Sequence, residues 1–400
     1  MGLRVVSAPW VLPGPGAPPL REGAVALDGD VLLDVGPRAA VEVRHGPAEP
    51  VDAVILPALV NAHLHLELSH LAGKVPGGRG LVPWIESLVA QRARGGAIEE
   101  GMARGAAELR EAGVAAVGEV TNGLTSGRHL AREGISGILF HEIFGFTEGR
   151  AAEAMRAAEE ARDRLGPPGP GLQVAPSPHA VYSTHLSTAA ELLGSGPSSI
   201  HLAEVPEERR FVAEASGPFA DLVLRLGLEP GALRPFGRSS VDAVAPWLGP
   251  ETLVVHAVDL DELDLAALSR SGATVVLCPR SNRHISGRLP DLPRLLAAGI
   301  PLAVGTDSLA SSPSLSPLAE LSVLHQAFPD VAPSRLLALA WNGAAVGAPS
   351  VGRLCAGSAP GVLAASLDGE RPGDPFAWLL EGTTPRPLRW LARHRPETRA

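Results

Sequence analysis

Eight short apolar runs, each followed by a longer segment of helical spacing, constrain this 400-residue chain more than any other feature. The runs are 54–60 (VILPALV), 114–120 (VAAVGEV), 135–143 (ISGILFHEI), 171–176 (GLQVAP), 199–204 (SIHLAE), 252–257 (TLVVHA), 273–278 (ATVVLC) and 301–306 (PLAVGT). Between them lie Ala/Leu/Arg/Glu segments with helical periodicity, such as 151–165, 207–226 and 289–298. Gly113, Gly134, Gly272 and Gly299 precede strand runs, where a left-handed helix C-cap favours glycine. A strand–helix alternation of this kind predicts parallel strands, since each helix returns the chain to the same end of the sheet. Eight repeats close most economically into an α/β structure of the (β/α)₈, or TIM, barrel type. An open doubly wound sheet competes, but no GxGxxG follows a first strand.

The flanks differ. Strand-like pieces at 4–7, 24–27, 31–35 and 361–367 are separated by Pro/Gly turns, and neither flank is long enough to enclose a core. Residues 1–54 and 346–400 are therefore expected to pair as a small β-sandwich-like domain beside a barrel of residues 55–345. A net charge of −9 argues against a nucleic-acid partner, because phosphate-backbone binding needs excess positive charge. No uncharged apolar run approaches the roughly 18 residues of a membrane span. The segment Met1–Val6 lacks the features of a signal peptide. Cys278 and Cys355 show no CxxC spacing and cannot build a disulfide framework. A cytoplasmic protein is the expectation, with a homo-oligomer left open.

His63-Leu64-His65 follows the first run, and residues i and i+2 of an extended chain face the same side. His201 lies in the fifth run, His256 in the sixth, and Asp307 directly follows the eighth. In a barrel the C-terminal strand ends converge on one face, which carries the chemistry. Four histidines and an aspartate gathered there form the pattern of a metal site. Imidazole and carboxylate ligands suit Zn²⁺ or Fe²⁺.

These residues, with Pro57-Ala58-Leu59-Val60-Asn61-Ala62 before them, His201-Leu202-Ala203-Glu204, Val255-His256-Ala257 and Gly305-Thr306-Asp307-Ser308, resemble the amidohydrolase superfamily across roughly 55–345. The resemblance implies that His63, His65, His201 and Asp307 ligate one divalent metal per chain. It implies that Glu204 shuttles protons as in the deaminase branch, and that His256 hydrogen-bonds the attacking water or the departing group. Asp307 would also accept the water proton. Binuclear members commonly bridge two metals with a carboxylated lysine from strand four. Lys74 is the only lysine, and strand four ends Ala175-Pro176-Ser177-Pro178-His179, so the bridge is missing and a mononuclear deaminase or halohydrolase is expected. The other zinc-deaminase design, H-x-E with P-C-x-x-C, is absent.

Substrate-reading motifs follow the same resemblance. Ser177-Pro178-His179-Ala180-Val181-Tyr182-Ser183 is similar to the strand-four segment of nucleoside deaminases, where the histidine contacts substrate. Cys278-Pro279-Arg280-Ser281-Asn282 is similar to their strand-seven segment. Glu67-Leu68-Ser69-His70-Leu71 and Gly80-Leu81-Val82-Pro83-Trp84-Ile85 most resemble aminodeoxyfutalosine deaminases of the alternative menaquinone route. Members acting on S-adenosylhomocysteine commonly carry an acidic residue where Pro83 stands. Trp84, His179, Arg280 and Asn282 are thus the expected substrate-binding residues. Arg280 is expected to grip a substrate carboxylate at the far end of the ribose from the reacting amine. Glu119 and Glu142, at the ends of strands two and three, could line the pocket or serve neighbouring loops. The expected partner is a small nucleoside-like molecule, first 6-amino-6-deoxyfutalosine. Related adenosine, S-adenosylhomocysteine, guanine or s-triazine hydrolases share the metal motif. A non-catalytic scaffold would be expected to have lost ligands, and none is missing.

Overall fold

The computed structural model describes residues 2–396. Strands β1 (Leu3–Val11), β2 (Leu20–Asp28) and β3 (Val31–Pro37) form an antiparallel meander, and β4 (Glu49–Pro50) and β5 (Ala53–Pro57) pair in parallel with β1. The run 54–60, expected to be one barrel strand, is divided. Proline at position 57 has no N–H for a ladder, and the next two amides turn to different sheets. Ala58 N donates to Gly361 O at 3.0 Å, whereas Leu59 N donates to Gly113 O at 2.9 Å.

The barrel strands are β6 (Leu59–Leu64), β7 (Val114–Thr121), β8 (Ser136–Ile143), β9 (Leu172–Pro178), β10 (Ser198–Leu202), β11 (Thr252–His256), β12 (Thr274–Leu277) and β13 (Leu302–Val304). All pair in parallel, as two four-stranded sheets in the orders β6-β7-β8-β9 and β10-β11-β12-β13. Isolated parallel bridges, Leu64 with Asp307 and Ala180 with His201, join the two halves of this TIM-type barrel. Near-continuous burial of the strands is what a sheet covered by helices requires. One apolar cluster runs from Val60 and Val117 through Phe140 and Ile200 to Val254, Val276 and Val304.

Gly113, Gly134, Gly272 and Gly299 all adopt φ between 68° and 79°, the left-handed values expected of them. The expected helix 207–226 is two helices, Pro206–Glu214 and Pro218–Arg225. Ala215 at φ 52° and Gly217 at φ 86° end the first, and Pro218, lacking an N–H, can only begin the second.

After the barrel, β14 (Pro360–Ser366) pairs antiparallel with β5, and β15 (Leu388–His394) adds to its other edge. Both flanks thus share one seven-stranded sheet, with Val6, Val25, Ile55, Val362 and Leu391 in one buried cluster. The sequence reading missed β15, because Arg389 and Arg393 and the prolines on either side, Pro387 and Pro396, read as tail. Trp390 anchors it to the barrel, donating Nε1–H to Arg110 O at 2.9 Å beneath the Arg110 guanidinium.

Candidate active site

The C-terminal ends of β6 and β13 are tied together by backbone. Thr306 N and Asp307 N both donate to His63 O, at 3.0 and 3.1 Å. Gly305 permits the approach, since a Cβ there would lie 2.7 Å from His63 Cβ. Asn61 locks it, donating Nδ2–H to Thr306 Oγ1 at 2.7 Å and accepting from Thr306 N at 3.1 Å. Ala203, His256, Ala257 and Asp307 are all left-handed at the strand ends, with φ between 49° and 77°. Strain of this kind persists where surrounding structure enforces it, commonly at functional sites.

The candidate ligand atoms of His63, His65 and His201 all lie within 4.8 Å of one another. Asp307 Oδ1 is 4.0 Å from His63 Nε2 and 3.7 Å from His65 Nε2. Its Oδ2 is occupied by the hydroxyls of Ser281 and Ser311, at 2.5 and 3.0 Å. Neither serine was singled out in the sequence, because a hydroxyl supporting a carboxylate leaves no spacing signature. Burial, joined for His63 and His65 by the charges of neighbouring imidazoles, pushes the three rings below the usual histidine range. They are therefore neutral and carry bare lone pairs. His63 is fully buried with no hydrogen-bond partner at either ring nitrogen, and its one bare lone pair is costly to bury unless something accepts it. A divalent cation does so, and the residue set fits one.

Glu142, His179 and His201 form a second group of possible ligands. The two groups compete for His201. Its Nδ1 lies 2.9 Å from His179 O, so Nδ1 carries the proton and Nε2 is left bare, facing His65 Nε2 at 3.3 Å. That tautomer favours the group containing His63 and His65.

Glu204 and His256 sit beside this group, with Glu204 Oε2 3.5 Å from His256 Nε2. Burial, then the charges of Asp307 and Glu208, raises the Glu204 carboxyl well above the usual range. Burial there disfavours its charged form. Burial and neighbouring His201 bring His256 down to about 3, so its ring is neutral. Asn282 Nδ2 lies 3.1 Å from His256 Nδ1; with the amide donating, the ring proton is on Nε2, facing Glu204. Glu208 orients the turn, accepting from Ala203 N at 3.1 Å and Glu204 N at 3.0 Å. The sequence reading overlooked it, although a glutamate at the third helical position, two residues after Pro206, is the residue that reaches back to the preceding amides.

A cavity of about 300 Å³ opens from these groups, within the range of small-ligand sites. His65, His201, Glu204, His256 and Asp307 line its inner end, with Trp84, His179 and Glu142 on the walls. Trp84 Nε1 and Glu142 Oε1 are buried without partners, and burial lifts Glu142 to about 8. Glu119, by contrast, is spent on structure, both its oxygens accepting from Leu66 N at 3.1 Å.

Two expected substrate contacts are corrected. Asn282 does not line the cavity and serves His256 instead. Arg280 is likewise outside the lining. Its Nε–H and backbone N–H go to the Glu320 carboxylate at 2.7 and 2.8 Å, and its terminal nitrogens go to Ser314 Oγ and O at 2.9 and 2.5 Å. Glu320 is fully buried and pushed up to about 7, burial outweighing the pull of Arg280. Arg280→Met should therefore act on stability, by about 3–5 kcal/mol, the scale for stranding a buried partner. The sign of its pH dependence follows. Wild type loses stability from Glu320 as pH climbs from the ordinary 4.5 towards 7, then levels off. Without Arg280 the folded value rises further and the decline continues. Melting curves at pH 6 and 8.5 should show the deficit widening at the higher pH; a constant deficit would contradict this role.

The barrel and the histidine–carboxylate set at its C-terminal face define the class, a barrel metallohydrolase. The chain belongs to the Amidohydrolase family, whose sequence profile matches residues 54–365, and it is a hydrolase acting on carbon–nitrogen bonds. It is 32% identical over 353 residues to the aminodeoxyfutalosine deaminase of Deinococcus radiodurans, covering 80% of each chain. It is 30% identical over 378 residues to a 5-methylthioadenosine/S-adenosylhomocysteine deaminase of Nitratidesulfovibrio vulgaris, covering 84% of this chain and 78% of that one. The crystal structure of Helicobacter pylori aminofutalosine deaminase with methylthio-coformycin superposes with a TM-score of 0.82, at 23% identity over 96% of this chain and 97% of that one. Among the described residues no helix is long and apolar enough to cross a membrane.

Proposed function

We propose that the chain is a mononuclear metal-dependent deaminase of a 6-aminopurine nucleoside, with 6-amino-6-deoxyfutalosine, giving futalosine and ammonia in a menaquinone-forming route, as first candidate. The observation that carries the reading is Glu204, a buried carboxyl whose charged form burial disfavours, beside the His63, His65, His201 and Asp307 group at the inner end of the cavity. Those four residues would hold one Zn²⁺ or Fe²⁺, which when bound acts as a Lewis acid and eases deprotonation of water.

The reaction adds water to the ring carbon bearing the amine and expels ammonia, leaving a carbonyl. Glu204 gives its proton to the adjacent ring nitrogen, and its carboxylate then takes the proton of the new hydroxyl, which becomes the carbonyl, and passes it to the departing amine. Asp307, its Oδ2 held by Ser281 and Ser311, takes the proton of the attacking water and returns it to Glu204 at the end of the cycle. His256 presents Nε2–H to the same space. Trp84 Nε1–H and His179 are donors available to the nucleoside.

A single ion is supported by the only lysine. Lys74 Nζ donates to His70 O at 2.9 Å and cannot bridge two metals. The D. radiodurans relative favours the futalosine-type substrate. Pro83 favours it too, standing where S-adenosylhomocysteine deaminases commonly carry an acid, and lying outside the cavity lining. Ammonia release from metal-loaded protein should be fastest with aminodeoxyfutalosine, slower with adenosine and S-adenosylhomocysteine, and undetectable with guanine or s-triazines. Release from guanine or a triazine, but from no nucleoside, would refute the reading.

A further inference from the structure

We propose that Arg92 is the specificity-determining residue of the cavity mouth, and that it selects a nucleoside whose 5′ side carries an apolar group ending in a carboxylate. This deepens the function proposed above and rests on it for the orientation, with the reacting amine at the inner end.

Only four of the residues lining the cavity are exposed: Val89, Arg92, Phe144 and Leu226. They form its rim. Val89 is 59% exposed, Phe144 41% and Leu226 51%, so three large apolar side chains face solvent around one opening. Exposed apolar clusters of this kind mark binding surfaces. Behind them Leu68, Leu81, Trp84, Ile85, Leu88 and Leu222 continue the apolar wall.

Arg92 is the one cation on this rim, in the last turn of the helix Leu81–Ala93. Among the described residues its guanidinium makes no ion pair or side-chain hydrogen bond. Its neighbours are engaged: Arg94 donates to Gln91, and Arg225 pairs with Glu86 at 2.5 Å. The Arg92 charge is felt inside the cavity, at His65 and Glu142. An unpaired guanidinium set in an apolar collar suits an apolar ligand that ends in a planar anion, which it can grip bidentately.

Other tails fit less well. A 5′-phosphate would place its charge next to the ribose, among the apolar wall, before reaching the rim. An amino-acid tail also carries an ammonium, and the exposed rim offers it no carboxylate. Glu67, further in, already accepts from Thr121 Oγ1, Asn122 N and Gly123 N.

The test compares wild type, Arg92→Met and Arg92→Lys on four adenosine derivatives: a 5′-aryl carboxylate, its methyl ester, the 5′-methylthio compound and the 5′-phosphate. Wild type should prefer the carboxylate to its ester in kcat/KM, and Arg92→Met should lose ~10- to 100-fold on the carboxylate alone, the scale of one charged hydrogen bond. Arg92→Lys, which keeps charge without the fork, should recover part of that loss. Equal losses on carboxylate and ester, or a preference for the phosphate, would overturn the proposal. Calorimetric binding of the corresponding 6-oxo products separates the two readings. If no nucleoside is deaminated, the proposed function fails; Arg92 is still judged by whether the carboxylate binds wild type at least tenfold tighter than the ester and Arg92→Met equally, and equal binding to wild type overturns it.

Discussion

Glu204→Gln is expected to lower kcat by about 10²–10⁴, the range for loss of a positioned general acid–base, with the metal content unchanged. Glutamine keeps the size and hydrogen-bonding capacity of the side chain and removes only its ability to give up and take back a proton. Burial at 4% exposure, then the charges of Asp307 and Glu208, favours the protonated form of Glu204. A carboxyl serving only to hold the turn would behave otherwise. Glu208 already has that task, accepting the amides of Ala203 and Glu204. Metal analysis and steady-state kinetics on the same preparation separate the cases, and turnover within a few-fold of wild type would remove Glu204 from the chemistry.

His63→Ala and Asp307→Ala should cost the metal itself. A four-ligand zinc site is worth about 10–16 kcal/mol, so one ligand accounts for about 2.5–4 kcal/mol, or about 100- to 1000-fold in affinity. Dialysed variants should hold far less than one ion per chain and release ammonia at a correspondingly small rate. Stability gives an independent readout. Adding metal to metal-free wild type should raise its melting temperature, since a ligand at about 1000 times its Kd stabilises by about 4 kcal/mol. That rise should vanish in His63→Ala. Metal-free His63→Ala should not be markedly weaker than metal-free wild type, because the substitution also removes two buried, unpartnered nitrogens. A variant that keeps full metal would show that His63 is not a ligand.

The barrel was legible because its strands are continuous β-branched runs and its helices end on glycines that must be left-handed. Gly113, Gly134, Gly272 and Gly299 bear this out individually. The convergence of His63, His65, His201, His256 and Asp307 was legible for the same reason, since strand ends in a barrel share one face. What hid was decided by partners distant in sequence. Nothing local says that Pro57 divides one apolar run between two sheets, or that Leu388–His394 is a strand. Arg280 misled because its place after strand seven was right while its destination was not: Glu320 lies 40 residues on, and a buried carboxylate claims a guanidinium before any substrate can. Arg92 went unnoticed because an arginine near the end of a helix is ordinary, and only the exposed Val89, Phe144 and Leu226 around it make it unusual.

The most direct measurement is a titration of metal-free protein with Zn²⁺ or Fe²⁺, following ammonia release from aminodeoxyfutalosine. Activity should rise linearly from near zero and saturate at one ion per chain, because one set of ligands is complete and the His201 tautomer withholds its Nδ1 from the Glu142–His179 group. Saturation at two ions per chain, or release of ammonia by fully metal-free protein, would contradict the account.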